Sequence, residues 1–230
     1  MNRFYKTVSL EPVTGGHAIR LDGRAVKTPA RAELVLPTPA LAAAVAAEWR
    51  AQAEKVDPWS MPLTGLANAA IDRVAPDMHA FATGVAVYAE TDLLCYRADG
   101  PAELVGHQAE TWDPLIDWAQ QRYDIEFEIV HGIMHERQPS ETVSRLAAAV
   151  HGYDAWRLVA FQPLVTIAGS LIIALALAEG EIDVESGFAA AQLDELWQAE
   201  KWGEDSFATQ ARENKRADFK AAARFLALLV

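Results

Sequence analysis

Apolar residues fill the stretch from Leu158 to Ala178, LVAFQPLVTIAGSLIIALALA, which carries no charged side chain. A helix of about 20 such residues is long enough to cross a bilayer. Gln162 and Pro163 near its start, and Thr166, Gly169 and Ser170 within it, argue against a span. It also lacks the flanking cluster of Lys or Arg that orients a membrane helix. Glu179, Glu181, Asp183 and Glu185 follow directly. The stretch therefore reads as one central helix buried in a soluble protein. Small residues at 169 and 170 would let a neighbouring helix approach closely.

The pattern upstream has period two. Lys6 to Val13, His17 to Leu21, Arg24 to Thr28 and Glu33 to Leu36 read as short antiparallel strands. Gly15-Gly16 and Asp22-Gly23 supply the turns between them. At Pro37-Thr38-Pro39 the period changes. Thr38 is suited to cap a helix and Pro39 to open it. The spacing predicts a helix over Leu41 to Lys55, with Leu41, Val45 and Trp49 on its apolar face against the sheet. Trp49 is read as structural, and Asp57-Pro58 as the stop.

Helical spacing then prevails. It predicts helices from Leu63 to Val74, from Pro76 onward, and from Pro101 and Pro114 as starting residues. Ile125, Phe127 and Ile129 alternate with Glu126 and Glu128 as in a half-exposed strand. That strand either extends the N-terminal sheet or forms an isolated arm. Ser140 is expected to cap the next helix. Val184 to Trp202 reads as a single amphipathic helix, with Phe188, Leu193 and Leu196 inward and Asp194, Gln198 and Lys201 on the opposite, exposed face. Gly203 is expected to end it. A last helix from about Ser206 carries Phe219, Ala222 and Leu226. The fold class expected is α+β: a small N-terminal antiparallel β-rich domain with one covering helix, residues 1–60, and a larger helical domain of orthogonal-bundle type, residues 61–230.

Composition narrows the partners. The chain of 230 residues has a net charge of −12 with 51% hydrophobic and 23% charged residues. A strongly acidic surface disfavours nucleic acid and anionic lipid and favours solubility and a basic partner. The one cysteine, Cys95, cannot form an internal disulfide and reads as a small buried hydrophobe. Patterned sequence begins at Arg3-Phe4-Tyr5, so a cytoplasmic protein is expected.

Chemical signatures are sparse. The chain has no Gly-rich dinucleotide fingerprint, phosphate loop or nucleophile elbow. His131 and His135 are four apart but lack the Glu of a His-Glu-x-x-His motif, and read as solvated loop residues. The acidic pairs Asp194/Glu195 and Glu204/Asp205 read as solvated helix faces rather than acid–base groups. No catalytic, metal or cofactor residue is assigned. Seven Trp leave room for an exposed one as a partner anchor.

An ordered set of short motifs carries more. Arg3-Phe4-Tyr5-Lys6, Leu21-Asp22-Gly23-Arg24, Val26-Lys27-Thr28-Pro29, Leu36-Pro37-Thr38, Glu48-Trp49 and Met61-Pro62-Leu63-Thr64 come first. Thr91-Asp92-Leu93-Leu94-Cys95-Tyr96-Arg97, Gln108, Trp112-Asp113-Pro114-Leu115, Gly169-Ser170 and Leu193-Asp194-Glu195 through Gln198 to Lys201-Trp202-Gly203 follow. In this order they resemble the ATP synthase assembly chaperone family that handles the α subunit of the catalytic sector. The resemblance implies a two-domain protein that binds unassembled α subunit and keeps it from aggregating until the β subunit replaces it, without catalysis or cofactor. The absence of a transit segment fits a bacterial member. The family's acidic position in the penultimate helix falls on Asp194, where this chain has the shorter acid. The expected partner-binding set is Asp194, Glu195, Gln198 and Lys201. Two other readings stand beside it: an enzyme with an unrecognised carboxylate site, and an adaptor without chaperone action.

Overall fold

The computed structural model describes residues 2–132, 134–203 and 205–230. The chain divides into two compact units. Unit 1 comprises Met1–Met78, Asp154–Ala160 and Ala221–Val230; unit 2 comprises His79–Tyr153 and Phe161–Lys220. The architecture is α+β, with a small antiparallel sheet near the N-terminus and a larger helical portion.

In unit 1, β1 (Val8–Val13) pairs along its whole length with β2 (Gly16–Leu21). The short strands β3 (Arg24–Ala25) and β4 (Val35–Leu36) pair with the other edge of β2. Ala18, Ile19 and Leu21 of β2 are buried. At the β2–β3 turn Asp22 and Gly23 take left-handed φ of 49° and 80°, the two-residue geometry that matches strand twist. The Asp22 carboxylate accepts from the Thr7 N–H and hydroxyl at 2.8 and 2.7 Å. These bonds hold its pKa below the usual carboxylate range.

Helix α1 (Pro39–Ala51) packs on β1, β2 and β4. Thr38 caps it through the Leu41 N–H. The helix stops at Ala51, before the expected Lys55, because Gln52 is extended and its side chain is engaged. Gln52 accepts from the Asp57 N–H and donates to Ser60 Oγ. Glu48 turns its carboxylate onto the start of α2 (Pro62–Ala69), accepting from the Leu63 and Thr64 N–H groups at 2.8 Å each. A carboxylate there satisfies donors that a helix start leaves unpaired. Trp49 is half-buried, edge-on to Tyr5. The expected Leu63–Val74 helix widens after Ala69 into a π turn over Ala70–Val74 and a 3₁₀ turn over Ala75–Asp77. Helix α3 (Met78–Ala86) follows.

In unit 2 the strand β5 (Tyr96–Arg97) precedes α4 (Ala102–Tyr123). Pro101 sits just ahead of α4 as expected. Pro114, expected as a start, lies inside the helix instead. The buried stripe of Leu104, Gln108, Trp112, Leu115, Ile116 and Ala119 runs in phase through it. Burial on that stripe outweighs the roughly 3 kcal/mol that an interior proline costs. Residues 125–129 form no ladder. Only β6 (Val130–His131) pairs, in parallel, with β5, so the segment neither joins the N-terminal sheet nor stands alone. Gln138 replaces the missing strand partner, bonding both the N–H and the carbonyl of Glu128. Helix α5 (Ser140–His151) begins at Ser140, with Pro139 rather than Ser140 in the capping position.

The expected central helix is two helices. α6 (Ala155–Ala168) and α7 (Leu171–Glu179) are separated by Gly169, at φ 65°, and Ser170. The Ser170 hydroxyl accepts from the Ile173 N–H and the Asp92 carboxylate from the Ile172 N–H, at 3.0 and 2.9 Å. The Leu93 N–H donates to the Gly169 carbonyl at 2.9 Å. Local caps thus outcompete a continuous helix. Leu171 to Ala176 are all fully buried. The expected helix over Val184–Trp202 is also two, α8 (Val184–Ala191) and α9 (Leu193–Trp202), broken at Gln192. α10 (Ser206–Ala227) is the last. Among the described residues no helix is long and apolar enough to cross a membrane.

Candidate functional site

Four of the sequence motifs meet in unit 2. Arg97 is buried, with its Nε donating to the Leu94 carbonyl and its guanidinium 2.8 Å from Asp113 and over the Trp112 ring. On α4, Gln108 Oε1 accepts from the Ala98 N–H at 2.9 Å, and its Nε2 donates to Asp194 Oδ1 at 2.8 Å. One turn further, the fully buried Trp112 donates its indole N–H to the Ala190 carbonyl at 2.9 Å. Gln108 and Trp112 are four apart, so they share one face of α4. From that face they hold the corner between α8 and α9.

Four residues of α9 were expected to make an exposed polar face. The break at Gln192 shifts the phase of α9, so Trp197 is its buried residue. Leu196, expected inward, is 39% exposed. Asp194 is half-buried and tied to Gln108 rather than free on the surface. Glu195 is exposed and lies 3.5 Å from Lys215 of α10. Gln198 is exposed. Lys201 stands 2.8 Å from Glu103 of α4. Their hydrogen bond holds the Glu103 carboxyl below its ordinary range and raises Lys201.

The sequence reading allowed for an exposed Trp as an anchor but did not place it. Trp197 meets Trp202 edge to face at 5.7 Å. Trp202 is 75% exposed and Phe207 84% exposed, either side of Gly203, whose φ of 91° turns the chain from α9 to α10. A groove of about 450 Å³ lies between α9 and α10, bordered by Glu195, Gln198, Trp202, Asp205 and Arg212. Contiguous apolar groups left in water mark contact surfaces, and Trp is enriched among the residues that carry binding energy. The abundance of Trp was the available signal, but the phase of α9 decided which Trp it concerned.

The remaining candidates are placed as follows. Asp194 and Glu195 point to different partners and form no joint carboxylate pair. Of Glu204/Asp205, Glu204 lies outside the described residues. Cys95 is fully buried, and burial pushes its thiol pKa far up. His135 Nδ1 lies 2.8 Å from the Tyr96 hydroxyl. Among the described residues no three His, Cys, Asp or Glu side chains gather to hold a metal ion.

Comparison with known proteins places this geometry. The family model described as ATP12 chaperone protein matches residues 2–120. The mitochondrial protein atp12 of Schizosaccharomyces pombe is 27% identical over 213 residues, 87% of this chain and 73% of that protein. The crystal structure of Atp12 from Paracoccus denitrificans superposes with a TM-score of 0.96 at 43% identity, covering all of this chain and 98% of that one. The Atu1473 protein from Agrobacterium tumefaciens superposes with a TM-score of 0.95 at 42% identity, over all of this chain and 86% of that one. The chain belongs to the ATP12 chaperone family, whose members are ATP synthase assembly chaperones.

Proposed function

We propose that this protein binds the unassembled α subunit of the ATP synthase catalytic sector and shields its assembly surface until the β subunit takes its place. It does so in the cytoplasm, without catalysis and without a cofactor. The observation that carries the reading is the likeness to Atp12 from Paracoccus denitrificans over the whole of this chain. The exposed apolar groups around α9 support it, since a holding chaperone must offer apolar surface to an aggregation-prone one. The decisive experiment follows light scattering of isolated α subunit after dilution from denaturant. One equivalent of this protein should keep it in solution and added β subunit should release it. Unchanged aggregation would overturn the reading.

Asp194, Glu195, Gln198 and Lys201 are proposed as residues of the contact surface. Their test needs a folding control, because Asp194 bonds the buried amide of Gln108. Asp194→Lys should cost about 1–3 kcal/mol of stability by leaving that amide unpaired. Glu195→Lys should change stability by less than about 0.5 kcal/mol. Both should weaken α-subunit binding by tenfold or more, about 1.4 kcal/mol, at low salt. Equal affinity of wild type and Glu195→Lys would remove the exposed side of α9 from the contact.

A further inference from the structure

Unit 2 satisfies its buried polar groups with few exceptions, and the exceptions are not scattered. Among the described residues, three buried side-chain polar atoms of this unit lack a hydrogen-bond partner: Gln192 Oε1, Trp197 Nε1 and Arg216 Nε. Gln192 starts α9 and Trp197 lies within it. Arg216 lines a groove shared with Leu196 of α9. Buried polar groups are normally paired, and each orphan calls for an explanation. All three border one helix, whose only buried side chain is Trp197. α9 thus carries unpaired buried polar atoms at its start and in its middle.

On its α4 side, α9 borders a groove of about 300 Å³. Leu193, Leu196 and the Trp197 ring form its apolar lining. Glu110 of α4 and Glu200 of α9 stand on it, both exposed and without an ion-pair partner among the described residues. The nearby cation Lys201 is already engaged by Glu103. His107 is the other titratable group of the groove. The groove therefore joins an aliphatic floor to two exposed carboxylates that form no ion pair of their own, Glu200 also feeling the charge of Lys201.

Building on the function proposed above, we infer that this α4–α9 groove receives a segment of the unassembled α subunit that presents a lysine or arginine beside aliphatic side chains. The cation lies between Glu110 and Glu200, and the aliphatic groups cover Leu193 and Leu196. Opposite charges at the rim set approach rate and register, while the covered apolar floor supplies holding energy. Release then requires only that the α subunit withdraw one basic-aliphatic segment, with no covalent step.

The test titrates purified α subunit against wild type, the double variant Glu110→Lys/Glu200→Lys, and a control, Glu128→Lys/Glu136→Lys. The control reverses two exposed acids elsewhere in the unit. Unfolding midpoints are measured alongside, and both double variants should melt with wild type because the four positions are exposed. The groove variant should bind at least tenfold more weakly at low salt, with the gap narrowing as salt rises, while the control stays within twofold. Leu196→Ala should weaken binding severalfold without that salt dependence. A groove variant that binds as wild type does overturns this inference and leaves the proposed function standing. A control that loses as much as the groove variant also overturns it, since the effect is then net charge. Wild-type protein that fails to bind α subunit overturns both.

Discussion

The joint between α6 and α7 and the joint between α8 and α9 are both one- or two-residue interruptions of helical chain, yet they settle their polar groups differently. At the first, every tool of helix capping is in use. Gly169 takes positive φ, Ser170 caps Ile173, and the Asp92 carboxylate reaches across to the Ile172 N–H while also accepting from the Leu94 N–H at 3.0 Å. Asp92, Ser170 and Leu171 to Ala176 are fully buried. At the second, Gln192 makes no capping bond with its side chain. Its Nε2 reaches only the carbonyl of its neighbour Ala191, at 3.3 Å, and its Oε1 has no partner. The first joint is finished by the chain itself. The second leaves Gln192 Oε1 unpaired at the start of the helix that carries the exposed Leu196 and Trp202.

The largest effect that probes this contrast is removal of the Asp92 carboxylate. Asp92→Ala strips the acceptor from the Leu94 and Ile172 N–H groups in a fully buried site. At about 1–3 kcal/mol for each stranded donor, the loss should be about 2–6 kcal/mol by denaturant unfolding. A loss below about 1 kcal/mol would mean that Ser170 and Gly169 hold the joint without it.

A smaller effect is its pH dependence. Burial outweighs the hydrogen bonds to Asp92 and raises its pKa to about 6. The folded state therefore favours the protonated acid. That stabilisation is present in full below the unfolded value near 4 and is lost as pH rises through about 6. Asp92→Asn cannot titrate at this position. The stability of wild type relative to Asp92→Asn should fall by about 3 kcal/mol between pH 4 and pH 7, at about 1.4 kcal/mol per pH unit. A difference that stays flat across that window would show that the backbone donors keep the carboxylate ionised.

The smallest expected effect belongs to the second joint. Gln192→Leu replaces a buried amide with one unpaired atom by an apolar group of similar size. The change removes the unpaired Oε1 with its desolvation cost and gives up only the 3.3 Å bond to the Ala191 carbonyl, so the melting temperature should hold or rise by a few degrees, as a gain of up to about 1 kcal/mol does. A loss comparable to that of Asp92→Ala would erase the distinction between the joints.

Several local features were legible because their causes are local. Thr38 caps α1, Asp22-Gly23 turns the hairpin and Gly203 ends α9, each through its own backbone preference and nearest neighbours. The family was legible too, because ordered short motifs survive at spacings that the fold requires. What escaped the pattern were the helix breaks at Gly169 and Gln192 and the helix that ran on through Pro114. In each case apolar residues continue on both sides, and periodicity carries no mark of the interruption. The placement of Asp194 failed for the same reason: the non-helical backbone at Gln192 breaks the phase of every later side chain, and Trp197 lies inward with Leu196 out.

The sequence by itself determined the fold class, the strands and turns of the N-terminal sheet, most helix positions and the family. Those follow from short-range preferences and from the alternation of apolar and polar residues. Only the tertiary structure decided that Gln108 reaches Asp194, that Glu48 closes the start of α2, and that Asp92 anchors α7 from 80 positions away in the chain. Each is a single polar group seated on donors or acceptors supplied by a distant element. Such a bond forms because burial makes an unpaired polar group costly, and which groups become buried together is settled by the packing of the whole unit.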